Sequence, residues 1–67
     1  MNAGTIEFDG GGAITCVVRD LSISGAALDV SSSAGIPDHF TLSFRNGLPM
    51  QCRVVWRSEV RIRVAFD

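Results

Sequence analysis

Apolar side chains recur at every second position along most of this chain, and no stretch follows the 3.6-residue period of a helix. Ile6 and Phe8, then Ile14, Cys16 and Val18, then Ala26, Leu28 and Val30, then Phe40, Leu42 and Phe44 form four such series. Two more follow in Cys52, Val54 and Trp56, and in Ile62, Val64 and Phe66. The pattern predicts six strands, at residues 5–8, 13–19, 26–30, 39–45, 50–57 and 61–66, each with one apolar face. An open sheet of this size would leave that face in water. The expected fold is therefore all-β, a small six-stranded antiparallel barrel forming a single domain over residues 1–67.

Turn signals separate the strands. Asp9-Gly10-Gly11-Gly12 predicts a hairpin, and pairing Phe8 with Ile14 and Ile6 with Cys16 keeps the apolar residues on one face. Asn46-Gly47 is a second hairpin signal. Residues 31–38, polar and broken by Gly35 and Pro37, read as a connector too short to link two domains. In the last hairpin, a loop of Ser58-Glu59-Val60 sets Trp56 opposite Ile62, Val54 opposite Val64 and Cys52 opposite Phe66. This register buries every large apolar residue, Trp56 included. It leaves Arg53, Arg57, Arg61 and Arg63 on the other face, with Arg57 opposite Arg61. Like charges across a ladder are unfavourable unless screened. The arginine face is then either a solvated exterior or a contact surface for an acidic partner.

One segment breaks the alternation. After Val18 the next large apolar residue is Leu21, out of phase by one, so a bulge or bend is expected at residues 19–21. The segment reads Asp20-Leu21-Ser22-Ile23-Ser24-Gly25. A carboxylate such as Asp20 can accept from the N1–H and N2–H donors of guanine, with the Ser22 hydroxyl beside it. Gly25, without a Cβ, permits either φ > 0 or the close approach of another molecule. Asp and Ser in a turn also commonly bond their own backbone, and both readings stand at this point.

Composition narrows the function classes. The 67 residues are 46% hydrophobic and 19% charged, which fits a packed domain near the lower size limit for a self-sufficient core. A formal net charge of -1 argues against DNA or RNA as partner, and Phe8, Phe40, Phe44 and Phe66 at inward positions leave no aromatic platform for single strands. All six basic residues are Arg, suited to bidentate phosphate contact, although codon bias explains the same usage. Cys16 and Cys52 lie on apolar faces, without C-x-x-C spacing. They are expected to be buried free thiols in a reducing cytoplasm, with no metal site. No signal-like start or membrane-length apolar run occurs. His39 is expected at the surface, and Glu7, Asp9, Asp29, Asp38, Glu59 and Asp67 are dispersed. Nothing here suggests an enzyme or a cofactor.

The D-x-S-x-x-G segment resembles that of a PilZ domain. So do the Cys16-Val17-Val18-Arg19 strand before it, Pro37, and the Cys52-Arg53-Val54-Val55-Trp56-Arg57 and Arg61-Ile62-Arg63-Val64-Ala65-Phe66 strands after it. The likeness covers residues 5–67. It implies a split-barrel type of six-stranded fold that binds cyclic di-GMP, with Asp20, Ser22 and Gly25 holding a guanine and adjoining ligand backbone. Three departures accompany it. Family members that bind the messenger carry R-x-x-x-R ahead of the first strand, whereas Met1-Asn2-Ala3-Gly4 contains no Arg. Arg63 stands where members commonly have Gly. The sequence stops at Asp67 without the C-terminal helix that often covers one barrel end, leaving that end exposed or covered by a second copy. The resemblance thus implies a regulatory module acting through cyclic di-GMP or a protein partner. The alternative is a ligand-independent adaptor that self-associates through the arginine face or a barrel end.

Overall fold

The computed structural model describes residues 2–45 and 47–67, and among them it forms six strands and no helix. They are β1 (Asn2–Glu7), β2 (Ala13–Arg19), β3 (Gly25–Asp29), β4 (His39–Phe44), β5 (Met50–Arg57) and β6 (Arg61–Phe66). Every pairing is antiparallel, and the order β1-β2-β3-β6-β5-β4 closes on itself through β1 and β4. Closure removes sheet edges and turns all six apolar faces inward. Ile6, Leu28, Leu42 and Ile62 are fully buried at the centre, and Phe8, Ile14, Phe44, Met50, Val54 and Phe66 pack around them. Among the described residues no helix is long and apolar enough to cross a membrane.

The first hairpin is offset by two residues from the register the apolar pattern predicts. Ile6 faces Ile14 and Gly4 faces Cys16, and β1 begins at Asn2. An even offset leaves every side chain on its expected face, so hydrophobic parity cannot tell the two registers apart. The turn decides: Gly10 and Gly11 adopt φ of 93° and 94°, and Phe8 N–H donates to the Gly12 carbonyl at 2.8 Å, which takes Phe8 out of the strand. The Asn46-Gly47 hairpin signal falls on Asn46, outside the described residues.

The last hairpin departs from expectation in a way that changes which residues face solvent. Cys52 opposes Phe66 and Val54 opposes Val64 as expected. A β-bulge between Val54 and Trp56 then places Trp56 opposite Arg63 and Arg57 opposite Ile62. One extra residue reverses the parity of everything beyond it. Trp56 consequently stands 50% exposed and is not the core residue its alternation suggests. The bulge also removes Arg57 from the outer face, and Arg57 and Arg61 are not cross-strand partners.

Arg57 instead secures the connector between β3 and β4, which must cross the barrel end because those strands are not neighbours. Its guanidinium donates to the carbonyl oxygens of Ser33 at 3.1 Å and Ile36 at 2.9 Å, and to Asp38 Oδ1 at 3.0 Å. Ser33 adds a side-chain bond to the Ser58 carbonyl at 2.6 Å and a backbone bond to the Glu59 carbonyl at 2.8 Å. Held in this way, Ile36 is buried with the core.

Cys16 and Cys52 are free and buried. Burial raises each thiol to about 11, with the Asp67 charge adding to the effect at Cys52, so both stay neutral across the physiological range.

Replacing Arg57 by Ala leaves the Ile36 carbonyl without its donor and the Ser33 carbonyl with only the bond from Ile36 N–H at 3.2 Å. It is expected to cost about 2 kcal/mol and to lower the thermal midpoint by roughly 10 °C. Arg57→Lys should recover only part, because an ammonium cannot span three acceptors arranged for a fork. Thermal denaturation followed by circular dichroism measures both, and a midpoint unchanged in Arg57→Ala would contradict the role.

Candidate functional site

β2 ends at Arg19, and the chain turns through Asp20, whose φ of 49° lies in the left-handed region that Asp tolerates better than most residues. The bend expected from the break in alternation is therefore present. It does not return Leu21 to the core: Leu21 is 50% exposed and Ile23 99% exposed. Both line an apolar cleft of about 700 Å³ at this end of the barrel, with Phe44, Met50 and Phe66 forming its floor.

The corner is braced internally and against β6. Ser22 N–H donates to the Gly25 carbonyl at 2.9 Å, and Phe66 N–H donates to the Ser24 carbonyl at 2.9 Å. Ser22 Oγ donates to the Gly25 carbonyl at 3.3 Å, accepts from Ser24 N–H at 3.3 Å and lies 3.2 Å from Ser24 Oγ. The self-bonding expected of serine in a turn thus operates here, while the hydroxyl remains at the surface. Gly25 does not use positive φ. A Cβ at this position would overlap the Val64 carbonyl oxygen and lie 3.2 Å from its carbonyl carbon. The close approach that requires glycine is that of strand β6, where Gly25 faces Ala65.

Asp20, Ser22 and Gly25 nevertheless share one surface groove of about 320 Å³, together with Val55, Arg63 and Val64. Asp20 is largely exposed, and its Oδ2 lies 3.6 Å from Nη2 of Arg63. Arg63 sits on the outer face, in register with Ala27 on one side and Trp56 on the other. Its participation was not evident from the D-x-S-x-x-G spacing. The signal available was positional: strand alternation turns Arg63 outward, but only the β3–β6 register brings it beside the corner.

The structure does not gather the four arginines of the last hairpin into one patch. Arg53 lies 3.6 Å from Asp67, Arg57 3.0 Å from Asp38, Arg61 2.6 Å from Asp29 and Arg63 3.6 Å from Asp20. Each arginine has its own carboxylate, which relieves the like-charge opposition anticipated for a continuous face. Asp29 is shared, since Arg19 also donates to it, and Arg61 and Arg19 as hydrogen-bond donors hold its carboxyl below the usual range. Exposed pairs of this kind are screened by solvent and contribute little to stability. They neutralise the face more than they stabilise the fold. His39 is exposed, and among the described residues no three His, Cys, Asp or Glu side chains come together as a metal site would require.

Substituting Gly25 by Ala forces β3 and β6 apart. This is expected to cost on the order of 3 kcal/mol, the upper end for overpacking, because a rigid backbone carbonyl must move. Chemical denaturation of Gly25→Ala tests this, and a loss below half that size would mean the barrel relaxes around the added methyl.

Comparison with known proteins supplies one finding. A family model described as PilZ domain matches residues 3–67. Neither the curated proteins nor the solved structures contain a significant match.

Proposed function

A chain matched from residue 3 to residue 67 belongs to the PilZ domain family, and on that premise we propose that it is a cytoplasmic regulatory module that binds cyclic di-GMP. The family comprises modules that bind this messenger or a protein partner and are regulatory rather than catalytic. The observation that carries the reading is the groove itself. Asp20 and Ser22 line one recess beside Gly25, shared with Arg63 and Val64 of β6. The Asp20 carboxylate accepts from guanine N1–H and N2–H, and the Ser22 hydroxyl supplies a further polar contact. Gly25, with no side chain, lets β6 close against the corner, so that Arg63 and Val64 line the same recess. Binding changes the surface presented to a partner protein, and this is how the module acts.

Titration of isotopically labelled protein with cyclic di-GMP should shift the amide resonances of residues 20–25 selectively. Asp20→Asn should weaken binding about tenfold or more, the loss expected for a charge-assisted acceptor. Absence of specific shifts at millimolar messenger would eliminate this reading.

A second reading, self-association without ligand, is favoured by the barrel end that Leu21 and Ile23 overhang. Ile23 is almost completely exposed beside the apolar cleft floored by Phe44, Met50 and Phe66, so a projection and a recess lie on one surface. Such an arrangement is self-complementary about a two-fold axis. Sedimentation velocity should then show a dimer at high concentration that Ile23→Asp dissolves. A monomer at every concentration would exclude it.

A further inference from the structure

Asp20 creates an electrostatic difficulty for the groove it lines. The ligand brings two phosphate charges, and a carboxylate adds a third of the same sign at close range in partly dehydrated surroundings. Among the described residues lining the groove, Arg63 is the one cation. Arg19 and Arg61 donate to Asp29, Arg57 donates to Ser33, Ile36 and Asp38, and Arg53 lies 3.6 Å from Asp67. Arg63, unlike these four, lines the groove. Its approach to Asp20 at 3.6 Å exceeds hydrogen-bond length, and its side chain is half exposed. It donates no hydrogen bond to any described protein atom. Five N–H donors in a planar fork therefore stand beside the guanine-binding carboxylate with their bonding capacity unused.

We propose that Arg63 is the phosphate-binding residue of this groove, holding the anionic backbone of a guanine nucleotide while Asp20 holds its base. The assignment rests on the guanine reading given above. The Asp20–Arg63 pair orients the guanidinium in the empty groove. Because it is exposed and longer than a hydrogen bond, the pair yields readily when the guanine edge takes over the carboxylate oxygens. The fork then turns to phosphate, for which its geometry is suited. Arg63 comes from β6 and Asp20 from the corner after β2, so base and phosphate are held by different strands. The β3–β6 register fixes their separation.

Calorimetric titrations with cyclic di-GMP and with guanosine, which lacks phosphate, separate the two roles in wild type, Arg63→Ala and Arg63→Lys. Arg63→Ala should weaken cyclic di-GMP binding about tenfold or more and flatten its dependence on NaCl. Guanosine should bind Arg63→Ala as it binds wild type, and Arg63→Lys should recover part of the lost affinity. Thermal midpoints near wild type confirm that the variants are folded, with Arg63→Gln as the replacement should the alanine variant not be. Binding of cyclic di-GMP to Arg63→Ala as tight as to wild type, or tighter, would overturn the assignment and leave Arg63 as a counter-ion of Asp20. Equal loss of guanosine binding would overturn it too, since Arg63 would then shape the groove rather than hold phosphate. Wild type that binds neither compound removes the guanine reading and this assignment together; wild type that binds both, with an unaffected variant, removes this assignment alone.

Discussion

The β-bulge between Val54 and Trp56 is the constraint from which much of this molecule follows. A barrel with strand order β1-β2-β3-β6-β5-β4 needs a connector across one end, between β3 and β4, and that connector carries carbonyl groups that must find donors. The extra residue in β5 rotates Arg57 to the inner side, where a single guanidinium meets the Ser33 and Ile36 carbonyls and the Asp38 carboxylate. Ile36 is thereby held against the core. The same slip turns Trp56 outward, opposite Arg63, and leaves it half exposed. One backbone irregularity thus both braces the connector at one barrel end and sets which residues flank Arg63 on the outer face.

Close packing between β3 and β6 is the second determinant. Gly25 is needed because the Val64 carbonyl occupies the space of its side chain, and the Phe66 to Ser24 hydrogen bond anchors the corner to the same strand. Because β6 approaches so closely, Arg63 comes within 3.6 Å of Asp20. The glycine of the D-x-S-x-x-G segment therefore acts through protein packing: it sets the distance between the Asp20 carboxylate and a cation on the neighbouring strand. Its contribution to ligand binding, on this account, is indirect.

Six strands, the closed barrel, the bend after Arg19 and the buried thiols are legible in the sequence, since each follows from period-two alternation or its interruption. What alternation cannot convey is any change that preserves parity or reverses it without a compositional mark. The two-residue offset of the first hairpin preserves parity, and the bonding of Phe8 and Gly12 across Gly10 and Gly11 settles it. The bulge reverses parity inside a run of Val54, Val55 and Trp56, where consecutive apolar residues hide the slip. That is why Trp56 reads as core and Arg57 as part of a cationic face. For the site, the motif spacing identifies Asp20, Ser22 and Gly25, whereas Arg63 lies 38 or more residues from each and joins them only through strand pairing.

The most direct test of the account is a crystal structure of the protein with bound cyclic di-GMP. The account predicts a guanine with its Watson–Crick edge on Asp20, lying over the backbone at Gly25 between the corner and β6. It also predicts the Asp20–Arg63 contact replaced by one between Arg63 and phosphate. A ligand seated in the apolar cleft at the barrel end, or one that leaves the Asp20–Arg63 pair undisturbed, would contradict it.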